Sequence, residues 1–167
     1  MAHDGLLYKS KQTQRVNLMA TRARLGYVLS DDSIVSVYHH WDGYPEWLGV
    51  ILNKHYNTDE AVRELIDGGD MSSCYSDNEY DYEKQEFVKR DPAPTYYSER
   101  GEDCPPVHHQ TFSDIADHDC GEEFLYLWFM NEWNCYSYKK TYDKDYNCTS
   151  TTLSPVIIPD AETADAS

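Results

Sequence analysis

The run GEEFLYLWFM, residues 121–130, is the most apolar stretch of the 167-residue chain and the feature that most constrains its fold. A continuous apolar run of this length, bounded by turn-forming residues, is typical of a strand at the centre of a sheet. The segment NEWN connects it to the alternating sequence CYSYKKTY, residues 135–142, as a turn connects two antiparallel strands. The sequence therefore predicts a central strand that forms a closing hairpin with the segment after it.

A second hairpin is predicted nearer the start of the chain. Apolar side chains alternate at Leu25, Tyr27 and Leu29, and the next four residues, SDDS, are turn-forming. Val35 and Val37 then share one face of the strand that follows. Because such alternation is typical of strands with one buried face, we expect the two hairpins to join in one antiparallel sheet.

Two short helices are predicted after this first hairpin. Pro45 suits the first turn of a helix, and apolar residues recur at helical spacing from there to Asn57. Thr58 is a good N-cap for the second helix, which Gly68 and Gly69 end. These elements predict an α+β fold in which an antiparallel sheet of two hairpins has both helices packed on one face. The expected core residues are Val35, Val37, Leu48, Ile51, Val62, Leu65, Ile66, Leu125, Leu127 and Phe129.

The length of the chain fits a single domain with tails. Residues 1–18 show no clear period and precede Met19, a second possible start, so we expect a flexible N-terminal extension. Residues 19–150 are predicted to form the α+β domain, within which residues 70–119 are polar, rich in tyrosine and interrupted by four prolines. Residues 151–167 end in a small, acidic run and are predicted to be a flexible acidic tail.

Acidic residues dominate the composition, with 30 Asp and Glu against 14 Lys and Arg and a formal net charge of −16. This charge repels nucleic acid and anionic membrane surfaces, so we expect neither as a direct partner, and a basic protein or a cation is the favoured one. The alternative interpretation is that most of these charges only keep the protein soluble. No apolar run approaches membrane-spanning length and no signal peptide is evident, which predicts a cytosolic protein. The five cysteines include no CxxC pair and are predicted to be free thiols.

Several motifs together resemble those of a family of small, uncharacterised tailed-phage proteins. The segment YHHWDGYPEW, residues 38–47, is similar to the family's YCHWDGYPEG motif, and HY and GDMSS follow at the ends of the two predicted helices. YSERGED, residues 97–103, is similar to the family's RDRGE segment, and the resemblance extends over residues 19–140. His39 stands where the family has a cysteine, and Trp47 replaces a small residue. The resemblance implies a non-virion accessory protein in the cytoplasm of an infected bacterium.

The motif HHWDGYP at residues 39–45 has two interpretations. In the structural one, Trp41 and Tyr44 cover the sheet edge, Asp42 accepts backbone hydrogen bonds, Gly43 has a positive φ and Pro45 starts the helix. In the functional one, the corner binds a small polar molecule or a nucleotide with help from the RGE segment. The candidate ligand-binding residues are His40, Asp42, Tyr44, Arg100 and Glu102.

Metal binding and catalysis have weaker support in the sequence. Five histidine and cysteine residues that could bind zinc fall within seventeen positions. Their spacing matches no standard zinc motif, so we expect no metal and no other cofactor. These residues are Cys104, His108, His109, His118 and Cys120. The chain has no GxSxG, P-loop, GxGxxG or HExxH motif and no catalytic residue is predicted, so we do not expect an enzyme.

Three functions are left, in order of preference. The first is a non-enzymatic accessory protein that binds a basic or nucleic-acid-binding host protein, for host takeover or anti-defence, with acids for steering and tyrosines as anchors. The second is a small-molecule or nucleotide-sequestering module built on the WDGYP corner, and the third is a metal-assisted enzyme. The predicted partner-binding residues are Tyr80, Tyr82, Tyr96, Tyr97, Asp114, Asp117 and Asp119.

Overall fold

The computed structural model of the protein describes residues 21–118 and 120–160. These residues contain three α-helices: α1 (Val50–His55), α2 (Asp59–Asp67) and α3 (Phe112–Asp117). A π-helical turn (Pro45–Gly49) leads directly into α1, and a 3-10 turn (Tyr97–Arg100) follows strand β6. The ten strands are β1 (Ala23–Val28), β2 (Ile34–His39), β3 (Met71–Tyr75), β4 (Asn78–Asp81), β5 (Glu86–Lys89), β6 (Ala93–Tyr96), β7 (Val107–His109), β8 (Phe124–Phe129), β9 (Glu132–Tyr142) and β10 (Cys148–Val156).

Eight of these strands form one mixed sheet in the order β10-β9-β8-β1-β2-β3-β6, with β7 pairing beside β2. The hairpins β1–β2 and β8–β9 are both antiparallel, as the sequence predicts. They join through β1 and β8, which run parallel, and β2 and β3 are also parallel. The chain passes from β2 through α1 and α2 before it reaches β3, and a crossover of this kind permits parallel pairing.

The predicted antiparallel sheet of two hairpins with two helices on one face is therefore wrong in its extent and in its strand directions. Residues 70–119 add β3, β6 and β7 to the sheet, and β4 and β5 form a separate two-stranded hairpin. Pro94 lies within β6 and lacks a backbone N–H, which an edge strand tolerates. Loops and short strands were expected in residues 70–119, but short strands interrupted by proline carry little periodic signal, so the sequence pattern did not show that they join the sheet.

Helices cover the large sheet on both faces rather than one. Successive residues of a strand point to opposite faces, so Tyr126 of β8 packs with α1 and α2 whereas Leu125 packs with α3. The second face carries a smaller cluster of Ile34, Ile115, Leu125 and Leu127. The main cluster comprises Ala23, Leu25, Tyr27, Val37, Leu48, Ile51, Leu52, Val62, Leu65, Ile66, Met71, Cys74, Tyr126, Trp128, Trp133 and Cys135.

The two predicted helices are present at the expected positions. Pro45 begins the π-helical turn, and Thr58 caps α2 by accepting a hydrogen bond from the backbone N–H of Ala61 at 3.2 Å. Trp128 Nε1 donates to Asp59 Oδ1 at 2.6 Å and so ties the start of α2 to β8. Of the predicted core residues, Val35 is only half-buried and Phe129 is 46% exposed, whereas the others are buried.

The end of the described chain belongs to the sheet. Residues 151–156, which the sequence predicts to be part of a tail, complete β10 and pair with β9 along its length. Threonine is β-branched and suits a strand, and three of the residues at positions 149–152 are threonine. The predicted extension at residues 1–18 and the acidic end at residues 161–167 lie outside the described residues. No helix within the described ranges has both the length and the apolar character needed to cross a bilayer.

Candidate functional site

The corner between β2 and the first helical turn is packed against the sheet. Gly43 N donates to Thr21 O at 2.9 Å, and a Cβ on Gly43 would lie 2.7 Å from that of Ala23. Tyr126 OH reaches from β8 and donates to Gly43 O at 2.7 Å. The prediction of a positive φ at Gly43 is wrong: the positive φ of this corner, +56°, belongs to Asp42, and Asp tolerates it better than most residues. These contacts favour the structural interpretation of the corner.

The five candidate ligand-binding residues differ in their contacts and exposure. His40 Nδ1 lies 2.7 Å from Tyr38 OH, whereas Arg100 is exposed and stacks over the Tyr97 ring at 5.4 Å. Glu102 is exposed as well, and among the described residues no hydrogen bond or ion pair joins it or Arg100 to the corner. Burial raises the pKa of Asp42 and of Tyr44, as expected for half-buried groups beside a packed turn.

A network of polar side chains instead lies on the sheet face that α3 covers, and we call it the Arg24 network. Arg24 is 2% exposed at the centre of this face, on β1. Its Nε donates to Glu122 Oε1 at 2.9 Å and its Nη1 donates to Ser36 Oγ at 3.0 Å. Ser36 Oγ in turn lies 2.7 Å from His109 Nε2. The network comprises Arg24, Ser36, His109, His118, Cys120 and Glu122.

The network closes at an accessible rim formed by His118 and Cys120. Cys120 Sγ lies 3.8 Å from Arg24 Nη2 and 3.8 Å from His118 Nε2, and the thiol is exposed. The His118 ring lies edge-on to the His109 ring with a centroid distance of 5.2 Å. Cys120 N donates to Glu122 Oε2 at 2.8 Å, which fixes the backbone that carries the thiol. The half-exposed imidazole of His118 and the exposed Cys120 thus lie beside the buried ion pair of Arg24 and Glu122.

Strand pairing explains why these distant residues meet. Because β1 and β8 pair in parallel, the segment just before β8 lies beside the start of β1 and places Glu122 next to Arg24. β7 pairs with the first half of β2, which places His109 beside Ser36. Burial and the nearby Arg24 guanidinium lower the pKa of His109 to about 4, so this imidazole is neutral near neutral pH.

The five residues considered as zinc ligands, although no metal was predicted, are only partly brought together. His109, His118 and Cys120 share the Arg24 network, whereas His108 Nε2 lies 2.9 Å from Ser33 Oγ and the Cys104 carbonyl accepts from Asp70 N at 2.9 Å. In the described part of the chain, no group of three or more His, Cys, Asp or Glu residues is arranged to hold a metal ion.

The β4–β5 hairpin carries an exposed aromatic cluster. The Tyr80 ring lies 5.0 Å from the Tyr82 ring and 5.2 Å from the Phe87 ring, both edge-on. The exposed fractions are 39% for Tyr80, 84% for Tyr82 and 70% for Phe87. The sequence predicted both tyrosines as anchors and missed Phe87. EFVK, residues 86–89, has no apolar–polar alternation that marks Phe87, and it is the strand pairing that places Phe87 opposite Tyr80.

The other predicted partner-binding residues lie elsewhere. Tyr96 is half-buried and donates from its hydroxyl to Leu65 O at 2.6 Å, and Tyr97 is also half-buried. Asp114 and Asp117 are exposed on α3, where Asp114 forms a capping box with Thr111. Asp119 lies outside the described residues.

The predicted partner surface is divided between the two sides of the molecule. Asp77, just before β4, pairs with Lys54 of α1 at 3.4 Å, so the base of the hairpin lies on the α1 side of the sheet. Helix α3 packs through Ile115 against the opposite face. The hairpin tyrosines and the α3 acids therefore do not form one continuous surface.

Comparison of the chain with protein-family models, with curated proteins and with solved structures gave no match. The resemblance to the phage family stays a prediction from the sequence motifs.

Proposed function

We propose that the protein is a non-enzymatic phage accessory protein that acts in the cytoplasm of the infected bacterium by binding a basic host protein. The observation that supports binding best is the exposed cluster of Tyr80, Tyr82 and Phe87 on the β4–β5 hairpin. The phage setting rests on the motifs at residues 38–47 and 97–103.

The cluster has the chemistry of an interaction anchor. Aromatic side chains supply a large contact area at low cost in side-chain entropy, and tyrosine is enriched among residues that dominate binding energies. A two-stranded hairpin is marginally stable in water by itself. Three aromatic rings that stay exposed on it bury little apolar area and so add little to its stability. A partner that covers these rings would remove apolar area from water.

The charges around the cluster define the class of partner. Residues 77–91 contain six acids and three bases, and two of the bases are already paired within the hairpin region. Lys89 lies 4.0 Å from Asp77, and Arg90 lies 3.2 Å from Glu79. Because the local and the overall charge are both negative, a basic protein surface is attracted and nucleic acid is repelled. A need for solubility accounts for the acids but not for the exposed aromatic rings.

Affinity capture from phage-infected cells tests this function. We expect the tagged protein to retain a basic host protein, and the Tyr82→Ser/Phe87→Ser variant to lose it. Tyr146→Ser is the matched control, because Tyr146 is 88% exposed in the turn between β9 and β10. Equal capture by all three proteins, or capture of no basic protein, would contradict the proposal. Thermal melts of the variants would show that the fold is retained.

A further inference from the structure

Three of the five cysteines have surroundings that suppress thiol reactivity. Cys74 and Cys135 are buried, and burial raises the pKa of each thiol to about 12. Burial and the nearby Asp70 carboxylate raise the pKa of Cys104. Cys148 is exposed, but its sulfur contacts only a backbone carbonyl at 3.4 Å and a threonine hydroxyl at 3.6 Å among the described residues.

The surroundings of Cys120 are different. Its exposed sulfur lies 3.8 Å from a guanidinium nitrogen of Arg24 and 3.8 Å from an imidazole nitrogen of His118. Arg24 cannot swing away, because Glu122 and Ser36 hold two of its other nitrogens and the side chain is 2% exposed. Glu122 also holds the Cys120 backbone N–H at 2.8 Å. Arg24 and the backbone of Cys120 are therefore fixed relative to one another.

We propose that Cys120 is a nucleophilic thiol and a modification site. His118 and Arg24 stabilise its thiolate, which reacts with small disulfides to form mixed disulfides at Cys120. The thiolate is the nucleophilic form of cysteine, and positively charged neighbours favour it. The ion pair with Glu122 offsets part of the Arg24 charge, which weakens its effect on the Cys120 thiolate. The effect of the half-exposed His118 on the thiolate is therefore the one that a substitution can test.

The reaction is thiol–disulfide exchange. His118 takes the proton of the Cys120 thiol, and the sulfur attacks one sulfur of a low-molecular-weight disulfide. A new S–S bond forms at Cys120 while the original S–S bond breaks, and the released thiolate takes up the proton from His118. The Cys120 sulfur is oxidised and the leaving sulfur is reduced. Because the protein has a net charge of −16, uncharged or cationic disulfides are the favoured reagents.

Cys148 is an internal control for this reactivity, because it is the other exposed cysteine of the same molecule. The reduced full-length protein is mixed with bis(2-hydroxyethyl) disulfide, an uncharged reagent, and both mixed disulfides are followed by peptide mass spectrometry. Near neutral pH we expect Cys120 to react at least about tenfold faster than Cys148. At about pH 9.5, where an unperturbed thiol is mostly ionised, the two rates should approach each other. Equal rates near neutral pH would overturn the proposal.

Two histidine variants separate the proposed role of His118 from a general effect of histidine loss. His118→Asn removes the imidazole beside the sulfur and should lower the ratio of the Cys120 rate to the Cys148 rate severalfold. His108→Asn is the control, because His108 is an exposed histidine of β7 that bonds to Ser33 rather than to Cys120. It should leave the ratio unchanged. An unchanged ratio in His118→Asn, with thermal melts like those of the wild type, would show that the imidazole does not activate Cys120.

Discussion

Arg24 and Glu122 form an almost completely buried ion pair between two parts of the chain that are distant in sequence. Arg24 Nε lies 2.9 Å from Glu122 Oε1, and the two side chains are 2% and 1% exposed. Arg24 belongs to β1, and Glu122 lies two residues before the start of β8, so the pair spans the parallel junction between the two hairpins. Ser36 and Cys120 N satisfy further polar atoms of the pair, which lowers the cost of burying the charges.

The first prediction concerns the stability that depends on this pair. Glu122→Leu leaves the Arg24 guanidinium buried and unpaired, and we expect it to lower the free energy of unfolding by about 3–5 kcal/mol. The double variant Arg24→Met/Glu122→Leu should recover much of that loss, because no charge is left without a partner. Urea unfolding measures both. As a control, Lys54→Ala removes an exposed ion pair with Asp77 and should cost less than about 1 kcal/mol.

The second prediction concerns the pH dependence of stability, which His39 should influence. His39 is 0% exposed, its ring nitrogens have no hydrogen-bond partner among the described residues, and burial lowers its pKa from 6.5 to about 3. Between these two values the unfolded chain binds a proton at His39 and the folded protein does not. Stability should therefore fall as pH drops from 6.5 towards 3, with a contribution of up to about 1.4 kcal/mol per pH unit.

A His39→Leu variant isolates this contribution from that of the carboxylates. Leucine is apolar and does not titrate, so the slope of unfolding free energy against pH should be smaller in the variant between about pH 4 and about pH 6. Urea unfolding at several pH values in that window gives both slopes. If wild type and variant have the same slope, His39 is not buried in its neutral form.

The third prediction concerns the core between α2 and the sheet. Leu65 is 1% exposed in the main cluster, so Leu65→Ala should lower the free energy of unfolding by about 2–5 kcal/mol through lost apolar burial and a residual cavity. The neighbouring Glu64 is exposed on the same helix, and Glu64→Ala should change stability by less than about 0.5 kcal/mol. Similar effects of the two substitutions would be inconsistent with the packing of α2.

Local sequence patterns predicted those elements whose signal lies within a few neighbouring residues. Both hairpins were predicted from such patterns, the first from the alternation around Leu25 and Val37 and the second from the run 124–129. Thr58 likewise indicated the start of α2. The direction in which the hairpins join depends on pairing between strands that are about a hundred residues apart, which no local period encodes. The sheet was therefore predicted as antiparallel although its central junction is parallel.

The same distinction applies to the candidate sites. Tyr80 and Tyr82 were predicted as exposed anchors because acids surround them within one short segment, and they are exposed in the structure. His118 and Cys120 were considered only as zinc ligands. Their contacts with Arg24 depend on the β1–β8 pairing, so a sequence pattern could not show that a buried guanidinium lies beside the thiol.

The fourth prediction concerns the kinetics of binding once the basic partner is captured. Exposed charges are screened beyond about 8 Å at physiological ionic strength, so the acids of the hairpin should mainly accelerate association. Glu83→Lys/Glu86→Lys reverses two exposed acids next to the aromatic cluster and should lower the on-rate while leaving the off-rate nearly unchanged. Phe87→Ser removes an apolar contact and should instead raise the off-rate.

A second charge reversal distinguishes local steering from the effect of net charge. Asp117→Lys/Asp145→Lys changes the net charge by the same amount. However, Asp117 is the last residue of α3, on the opposite face of the sheet, and Asp145 lies in the turn between β9 and β10 at the other sheet edge. We expect this variant to lower the on-rate less than the hairpin variant at low salt, and the difference between them to shrink as salt is added. Surface plasmon resonance at several salt concentrations measures both rates. Equal on-rates for the two reversals would show that the partner responds to total charge and not to the β4–β5 hairpin.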